Sequence, residues 1–446
     1  MKGDRKMSLL NYFGDEVCSC KKIHKASVDY VITENGAIKR VPEYIERYGA
    51  SKAFIMSDIN TYHAAAKQVA AILQSKGMDY TEYIFNDTDL KPDEQAVGSA
   101  VMHYDTSCDI IIGVGSGCLN DIGKILSKIT NCPYIIVGTA PSMDGYASAS
   151  SSMIRDGLKI TLDSKCPNVI IGDIDILKNA PLKMLKSGLG DMIAKYISIA
   201  EWRISNIITG EYYCDKVASL VRNALKKCVD NAQKLLERDD EAVAAVFDGL
   251  IIGGIAMAYA GVSRPASGIE HYFSHIWDMR ALEFNTAEDL HGIQCAVGTL
   301  ISLRLYEQIK KQKPDRDKAL KYAADFDFSD WSDKLRAFLG NSAEAMIALE
   351  AKESKYDCDK HRERLDVIIP EWDKILAIIE ELPSVSYMEQ LFKTIGMPLD
   401  CESIGIEKDV LPMTFKSTKD IRDKYVLSRL AWDIGIIDEL SEELVK

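Results

Sequence analysis

Short apolar runs alternate with longer amphipathic segments between residues 27 and 172, and this alternation limits the possible folds more than any other feature of the chain. The runs predict strands, and the segments between them have the length and periodicity of helices. Because consecutive parallel strands need a crossover connection, the pattern predicts a parallel sheet covered by helices on both faces. The predicted strands are 27–31, 53–57, 80–85, 109–113, 134–138 and 168–172, and the predicted helices are 62–76, 94–104 and 119–130.

Residues 153–162 predict a β-hairpin with its turn at Asp156 and Gly157. After about Asp175 the pattern changes, and residues 181–446 show helical periodicity with few convincing strands. A chain of 446 residues is also too long for one simple core. We therefore predict an N-terminal extension over 1–26, a Rossmann-like α/β domain over 27–178 and an all-α domain over 179–446.

The charge balance excludes some classes of partner. The formal net charge is 54 − 67 = −13, which argues against a general nucleic-acid or anionic-membrane surface. The longest apolar run, Leu250–Val262, has 13 residues and is too short to span a bilayer, so it predicts a buried core helix. The N-terminal segment lacks the apolar core of a signal peptide, so we expect a cytoplasmic protein.

The eleven cysteines contain no CxxC pair, so they indicate neither a zinc ribbon nor a disulfide framework. Cys18 and Cys20 stand close together in the chain. With no second pair, we interpret them as reduced thiols in the cytosol.

A glycine turn follows the strand predicted at 109–113. Gly113, Gly115 and Gly117 let the backbone approach a pyrophosphate closely, and the N–H groups of the following helix attract its charge. The turn is not a Walker A loop, because Cys118 replaces the first glycine and Ile125 replaces the Ser or Thr.

The turn also lacks the acidic residue that the usual dinucleotide fingerprint places about 20 positions on. Asp58, directly after the strand 53–57, is a better candidate for contacting an adenosine ribose. It is an equally good cap for the next helix, and the sequence does not separate the two interpretations.

The segment TAPSMDGYASAS at 139–150 directly follows another predicted strand. Open α/β sheets bind ligands beyond the carboxyl ends of their strands, so this loop should line the same crevice as the glycine turn. Thr139, Ser142 and Ser148 supply hydroxyl groups, and Asp144 supplies a carboxylate. A plain connecting loop is the alternative.

Three of the seven histidines fall between residues 271 and 291. His271 and His275 are four residues apart and share one face of a helix. Imidazole is the commonest protein metal ligand, so the group predicts a metal or catalytic site. The alternative is a set of partly buried histidines satisfied by hydrogen bonds.

The helix starts around these histidines are also predictable. Ser267 and Glu270 have the spacing of a capping box, which predicts a helix beginning at Ile269. Thr286 and Asp289 predict the start of another helix, with His291 in its first turn.

Asp191 lies in GLGDMIAKY, at the predicted start of a helix in the second domain. It is either a helix cap or a metal ligand that joins His271 and His291, a set that leaves positions open for substrate. Glu270 points away from His271, because adjacent helical positions differ by about 100°. The sequence EHYFSH is not HExxH, so a metalloprotease is excluded.

Five segments in this order closely resemble those of sn-glycerol-1-phosphate dehydrogenases: GVGSG, TAPSMDGYAS, SGLGDMIAKY, SGIEHYFSH and DLHG. These enzymes belong to the superfamily of glycerol dehydrogenase, iron-dependent alcohol dehydrogenases and dehydroquinate synthase. The resemblance covers roughly residues 28–310, and it implies a dehydroquinate synthase-like fold. Val114 interrupts the glycine turn, which usually reads GGGS in the family, and residues from about 320 onward are not explained by the match.

The resemblance implies NAD or NADP as cofactor and one divalent metal ion, with zinc or nickel ahead of iron. It implies substrate contacts at Asp144 and His275, and metal ligands at Asp191, His271 and His291. Together with Asp58, the implied cofactor contacts are Gly113, Val114, Gly115, Ser116, Gly117, Thr139, Ala140, Pro141, Ser142 and Ser148.

The reaction implied is reversible NAD(P)H-linked reduction of dihydroxyacetone phosphate to sn-glycerol 1-phosphate. The rivals are a polyol dehydrogenase for unphosphorylated glycerol, a lyase that uses NAD transiently, and a cofactor-binding protein without catalysis. Lys159 and Arg264 are candidates for the substrate phosphate, although a surface cation is the simpler interpretation of each. The partner is a small-molecule substrate, and a homo-oligomer, dimer or larger, is expected.

Overall fold

The computed structural model describes residues 16–445, which form two compact units. The first unit runs to Met192 and also includes Lys216–Val262. The second contains Ile193–Asp215 and the chain from Ser263 onward. The first unit therefore contains residues from both sides of position 178. The division into a cofactor-binding domain before this position and a metal- and substrate-binding domain after it stays a prediction.

The first unit contains a six-stranded sheet and a separate hairpin. The strands are β1 (Tyr30–Glu34), β2 (Lys52–Asp58), β3 (Asp79–Phe85), β4 (Ile110–Gly115), β5 (Tyr134–Gly138), β6 (Ser150–Arg155), β7 (Leu158–Asp163) and β8 (Val169–Asp173). The sheet has the order β1-β8-β5-β4-β2-β3, and every neighbouring pair is parallel. All residues of β4, β5 and β8 are buried, as expected of central strands covered on both faces. The predicted parallel sheet is confirmed.

The strand order reverses between β2 and β4. From β2 the chain continues to β3 on one side, whereas from β4 it continues to β5 on the other. Open α/β sheets bind ligands at the carboxyl ends of strands where the order reverses in this way. The register pairs Met56 with Gly113, so Asp58 and the glycine turn lie at this same edge.

Strands β6 and β7 form the antiparallel hairpin predicted from the sequence. Its two turn residues, Asp156 and Gly157, have φ values of 52° and 74°. Two consecutive positive φ values are typical of a two-residue type I′ turn, which accounts for the Asp-Gly sequence.

Some helices of the first unit connect the strands of the sheet, and the others follow the last strand in the chain. They are α1 (Val41–Arg47), α2 (Ile59–Thr61), α3 (Lys67–Ser75), α4 (Glu94–His103), α5 (Gly117–Thr130), α6 (Ile174–Leu177) and α7 (Leu182–Ile193), followed after the second unit's α8 (Lys195–Thr209) by α9 (Asp215–Asp230), α10 (Ala232–Leu236) and α11 (Asp240–Ala260). A π-helical turn, Tyr62–Ala66, joins α2 to α3.

Of the helices that the structure describes, α11 alone is long and apolar enough to cross a membrane, but 78% of its most apolar window is buried. Phe247 shows how closely the helix packs on the sheet. A Cβ at Gly172 would lie 2.2 Å from its ring, and a Cβ at Gly138 would lie 3.0 Å from it, so the ring packs on two glycines of adjacent strands. The predicted core helix is confirmed.

The second unit is almost entirely helical over its described residues, as predicted for the C-terminal part of the chain. Besides α8 its helices are α12 (Ile269–Phe284), α13 (His291–Ile309), α14 (Arg316–Ala324), α15 (Phe328–Leu339), α16 (Ser342–Glu353), α17 (Cys358–Ile368), α18 (Trp372–Glu380), α19 (Val385–Ile395), α20 (Leu411–Ser417), α21 (Leu427–Asp433) and α22 (Ile437–Glu443). Helices α12 and α13 pack against each other and carry the three clustered histidines.

Candidate active site

The glycine turn connects β4 directly to α5. A Cβ at Gly115 would lie 2.4 Å from Leu119 Cδ1, so no side chain fits there. Gly113 makes room for the ring of Tyr134, whose hydroxyl oxygen would lie 2.3 Å from an added Cβ. These close approaches explain the glycines structurally, and the cofactor contacts of Gly113–Gly117 stay a prediction.

The 139–148 loop lies against the glycine turn, as the sequence predicts for two neighbouring strands. The hydroxyl groups of Ser116 and Ser142 share a hydrogen bond of 2.5 Å. The Thr139 N–H donates to the Gly115 carbonyl at 3.0 Å. The Tyr146 hydroxyl donates to the Ala140 carbonyl at 2.7 Å, so both segments form one hydrogen-bonded surface at the end of the sheet.

A buried cation that the sequence analysis missed holds the loop. The ammonium group of Lys124 donates to the Gly145 carbonyl at 3.2 Å, to the Ser148 hydroxyl at 3.2 Å and to the Ser150 carbonyl at 2.5 Å. It also pairs with the Asp121 carboxylate at 2.7 Å, and burial raises the pKa of that carboxyl. The available signal was a lysine on the apolar face of an amphipathic helix.

Helix α7 contacts the loop from another direction. The Ser187 hydroxyl donates to the Ser142 carbonyl at 2.9 Å. The Asp144 N–H donates to the Asp191 carboxylate at 2.9 Å. Asp191 is fully buried and lies in the last turn of α7, so the predicted position at the start of a helix is wrong. The helix continues through the glycines before Asp191. Gly188 has a packing role, because the absence of a side chain lets the helix approach the Pro141 carbonyl closely.

Asp58 is a helix cap. Its carboxylate accepts from the Thr61 N–H at 2.7 Å, and the Thr61 hydroxyl accepts from the Asp58 N–H at 3.0 Å. This reciprocal pair is a capping box at the start of α2. The second interpretation, a contact with the ribose, stays a prediction.

In the second unit, α12 begins at Ile269 as predicted, but the predicted cap is wrong. The cap position is taken by Gly268, whose N–H donates to the Glu270 carboxylate at 2.7 Å. The Ile269 N–H donates to the Glu201 carboxylate of α8 at 2.9 Å. A carboxylate from another helix therefore accepts a hydrogen bond at the start of α12, where Ser267 was predicted to act as the cap. Burial beside Glu270 raises the pKa of Glu201 to about 8.

The three histidines come together. The ring centres of His271 and His291 lie 5.1 Å apart, and His275 lies 6.5 Å and 5.9 Å from them. His291 is the first residue of α13, which confirms its predicted place in a first turn. Ligand atoms of His271, His291 and Cys295 lie within 4.8 Å of one another, so the two imidazoles are close enough to share one ion.

Two further side chains orient these imidazoles. The buried Glu270 carboxylate lies 2.8 Å from Nδ1 of His271, and the Ser274 hydroxyl lies 3.0 Å from Nδ1 of His291. A carboxylate on Nδ1 fixes the tautomer in which Nε2 carries the lone pair, an arrangement typical of metal-binding histidines. The prediction that Glu270 points away from His271 is wrong, because its carboxylate reaches back to the His271 ring. Its exclusion from the metal ligands stays a prediction, and its orienting role was missed.

Arg264 is not a surface cation. It is 1% exposed, its guanidinium pairs with Glu211 at 2.7 Å, and it donates to the Tyr425 carbonyl at 2.8 Å. These partners give it a structural role in the second unit. Lys159 lies half-buried in β7.

Comparison with known proteins identifies the family. The family model described as iron-containing alcohol dehydrogenase matches residues 32–181. A glycerol-1-phosphate dehydrogenase [NAD(P)+] from Halalkalibacterium halodurans is 27% identical over 92% of this chain and 94% of its own length. One from Geobacillus thermodenitrificans is 31% identical over 64% of this chain and 71% of its own length.

The solved structure of a probable glycerol dehydrogenase from Sinorhizobium meliloti shows the same fold. It matches with a TM-score of 0.58 and 16% identity, over 93% of this chain and 97% of that chain. The predicted dehydroquinate synthase-like fold is confirmed. With its sheet, its 139–148 loop and its histidine cluster described above, the chain belongs to the glycerol-1-phosphate dehydrogenase family.

Proposed function

We propose that this protein catalyses the reversible NAD(P)H-linked reduction of dihydroxyacetone phosphate to sn-glycerol 1-phosphate in the cytoplasm. One observation carries the proposal: relatives with this named activity match more than nine-tenths of the chain, including both units. The substrate is a small molecule, and a homo-oligomer is part of the proposal.

The cofactor site proposed is the edge of the sheet where the strand order reverses. The tight turn brings the backbone of Gly113–Gly117 to this edge, and the N–H groups at the start of α5 favour a pyrophosphate there. The 139–148 loop supplies the hydroxyl groups of Thr139, Ser142 and Ser148. If Asp58 also contacts the ribose, its charge favours NAD over NADP.

The metal ligands proposed are Asp191, His271 and His291, with zinc or nickel as the ion. In the first unit, Asp191 supplies a buried carboxylate. In the second unit, Glu270 orients the imidazole of His271 and Ser274 orients that of His291. A carboxylate and two imidazoles suit a catalytic metal site that keeps positions open for substrate. When bound, the ion supplies Lewis-acid polarisation of the substrate oxygen.

The protein's own groups position the substrate and move the proton. His275 is half-buried on the same helix face as His271 and exchanges the proton of the substrate hydroxyl. Asp144, in the loop held by Lys124, contacts the substrate hydroxyl groups. Hydride chemistry belongs to the cofactor, and the protein fixes its distance and face.

The test is a reduction assay with the metal-loaded protein, dihydroxyacetone phosphate and either NADH or NADPH, followed by nicotinamide absorbance. The product is then offered to a dehydrogenase specific for sn-glycerol 3-phosphate, which should leave it unoxidised. Equal turnover of unphosphorylated dihydroxyacetone would support the polyol dehydrogenase instead. No net cofactor consumption with any carbonyl substrate would overturn the assignment.

A further inference from the structure

A small cluster of metal-binding side chains lies in the first unit, at the beginning of the described chain. Cys18 is 6% exposed, His24 is 3% exposed and Cys20 is half-buried. Ligand atoms of these three residues lie within 4.8 Å of one another. Cys18 and Cys20 were interpreted from the sequence as reduced thiols, and the proximity of His24 to them was not predicted.

The orientation of His24 is that of a metal ligand. Its Nδ1 lies 3.0 Å from the Tyr259 carbonyl oxygen, and its Nε2 lies 3.3 Å from Cys20 Sγ. A carbonyl can only accept, so Nδ1 carries the proton in the neutral ring and Nε2 presents its lone pair towards the thiol. Anchoring of the distal ring N–H by a backbone carbonyl is the usual support of a metal-binding histidine.

The backbone brings these residues together without a ligand. Between Cys18 and Lys22 the chain makes a tight turn, with hydrogen bonds of 2.8 Å from the Lys21 N–H to the Cys18 carbonyl and 2.9 Å from the Cys18 N–H to the Lys22 carbonyl. Lys21 adopts φ = 68° to close it. The Lys22 ammonium donates to the Ala260 carbonyl at 3.2 Å, which fixes the turn at the end of α11.

We propose that Cys18, Cys20 and His24 bind a structural zinc ion that fastens this N-terminal turn to the end of α11. Zinc bonds of about 2.3 Å to sulfur and about 2.0 Å to nitrogen place the two ligand atoms roughly 3.5 Å apart in a tetrahedron. The 3.3 Å between Cys20 Sγ and His24 Nε2 therefore needs almost no adjustment. The fourth position takes a water molecule or a further thiolate.

This site differs in chemistry from the proposed catalytic one. Thiolates are soft ligands that favour zinc and exclude magnesium or calcium, whereas Asp191, His271 and His291 offer oxygen and nitrogen only. Sulfur ligation that depends on Cys20 is therefore a signature that the catalytic set cannot produce, whereas sulfur ligation that depends on Cys295, which lies beside His271 and His291, would belong to the catalytic set. The two proposals fail independently, because a thiolate-bound ion can be detected in a protein without dehydrogenase activity.

The first experiment measures zinc content and the spectrum of the cobalt-substituted full-length protein. The wild type should bind two equivalents and show sulfur-to-cobalt charge-transfer bands in the near ultraviolet. Cys20→Ser and His24→Gln should each lose one equivalent, and Cys20→Ser should weaken the bands. Cys132→Ser is the matched control, because Cys132 is a half-buried cysteine of the same unit, and it should change neither quantity.

A second measurement needs no variant. Thiol alkylation followed by peptide mass spectrometry compares the wild type before and after chelation, and Cys18 and Cys20 should become reactive only after the metal is removed. Unchanged metal content in both site variants would overturn the proposal. So would equal alkylation of the two cysteines in metal-loaded and chelated protein.

Discussion

Gly188 lies so close to Pro141 that a Cβ on the glycine would stand 1.9 Å from the proline carbonyl oxygen. The obstacle is backbone, so it cannot rotate away. Helix α7 therefore fixes the position of the 139–148 loop, and with it the hydroxyl groups proposed to contact the cofactor.

Gly188→Ala should damage both stability and cofactor binding. The overpacked contact should cost about 3 kcal/mol of unfolding free energy, and displacement of the loop should raise the KM for NADH more than it lowers kcat. Urea unfolding and steady-state kinetics measure the two effects. Gly98→Ala is the control, because Gly98 lies in α4 with nothing within 4 Å of an added Cβ. That change should be neutral or stabilise by up to about 1 kcal/mol.

Lys124→Met should destabilise the first unit by roughly 3–5 kcal/mol, because it leaves the Asp121 carboxylate and two carbonyl groups without their cation. Lys128→Met is the comparison on the same helix. Lys128 pairs with an Asp163 carboxylate that is 88% exposed, and such a pair contributes at most about 1 kcal/mol. Equal effects of the two changes on urea midpoints would contradict the role given to Lys124.

Glu270→Gln should weaken metal binding at the catalytic set by roughly 10- to 100-fold, because the amide no longer holds Nδ1 of His271 as a carboxylate does. Competition with a chelator of known affinity measures the change, and added metal should restore activity. Cys295→Ser tests the neighbouring thiol. Retention of wild-type affinity is expected, and a loss as large as that of His291→Ala would place Cys295 among the ligands.

Asp248 in α11 should make stability depend on pH. Burial raises the pKa of this carboxyl to about 6, above its unfolded value, so the folded state binds the additional proton. The favourable contribution is present at low pH and is lost as the pH rises through about 6. Asp248→Asn should therefore stabilise the protein by roughly 2 kcal/mol more at pH 8 than at pH 4. Urea unfolding of both proteins at the two pH values tests this, and a pH-independent difference would contradict it.

The local elements were predictable because their patterns are local. The apolar run 134–138 is a strand with those bounds, and the Asp156-Gly157 turn forms where its sequence indicates. The order reversal between β2 and β4 was not predictable, because strand order depends on packing among distant segments.

The proximity of the histidines was predictable for a similar reason: His271 and His275 share a helix face, and His291 follows in a first turn. The supporting groups were not. Lys124 could have been suspected from its place on the apolar face of an amphipathic helix, but its partners in the 139–148 loop could not, because they depend on tertiary packing. The contact of Glu201 with the start of α12 depends on tertiary packing in the same way. Asp191 was predicted at the start of a helix, whereas α7 begins at Leu182 and continues through Gly188, which packs closely against the Pro141 carbonyl.

The packing of Phe247 on Gly138 and Gly172 affects how the chain folds. Until the Phe247 ring packs against the sheet, the apolar surface of the 21-residue helix α11 is exposed to water. All six strands of the sheet precede α11 in the chain, so they are synthesised before it. A larger residue at Gly138 or Gly172 would prevent α11 from packing on the sheet. We expect such variants to aggregate into inclusion bodies, so that the loss of folded protein is observed before any loss of activity.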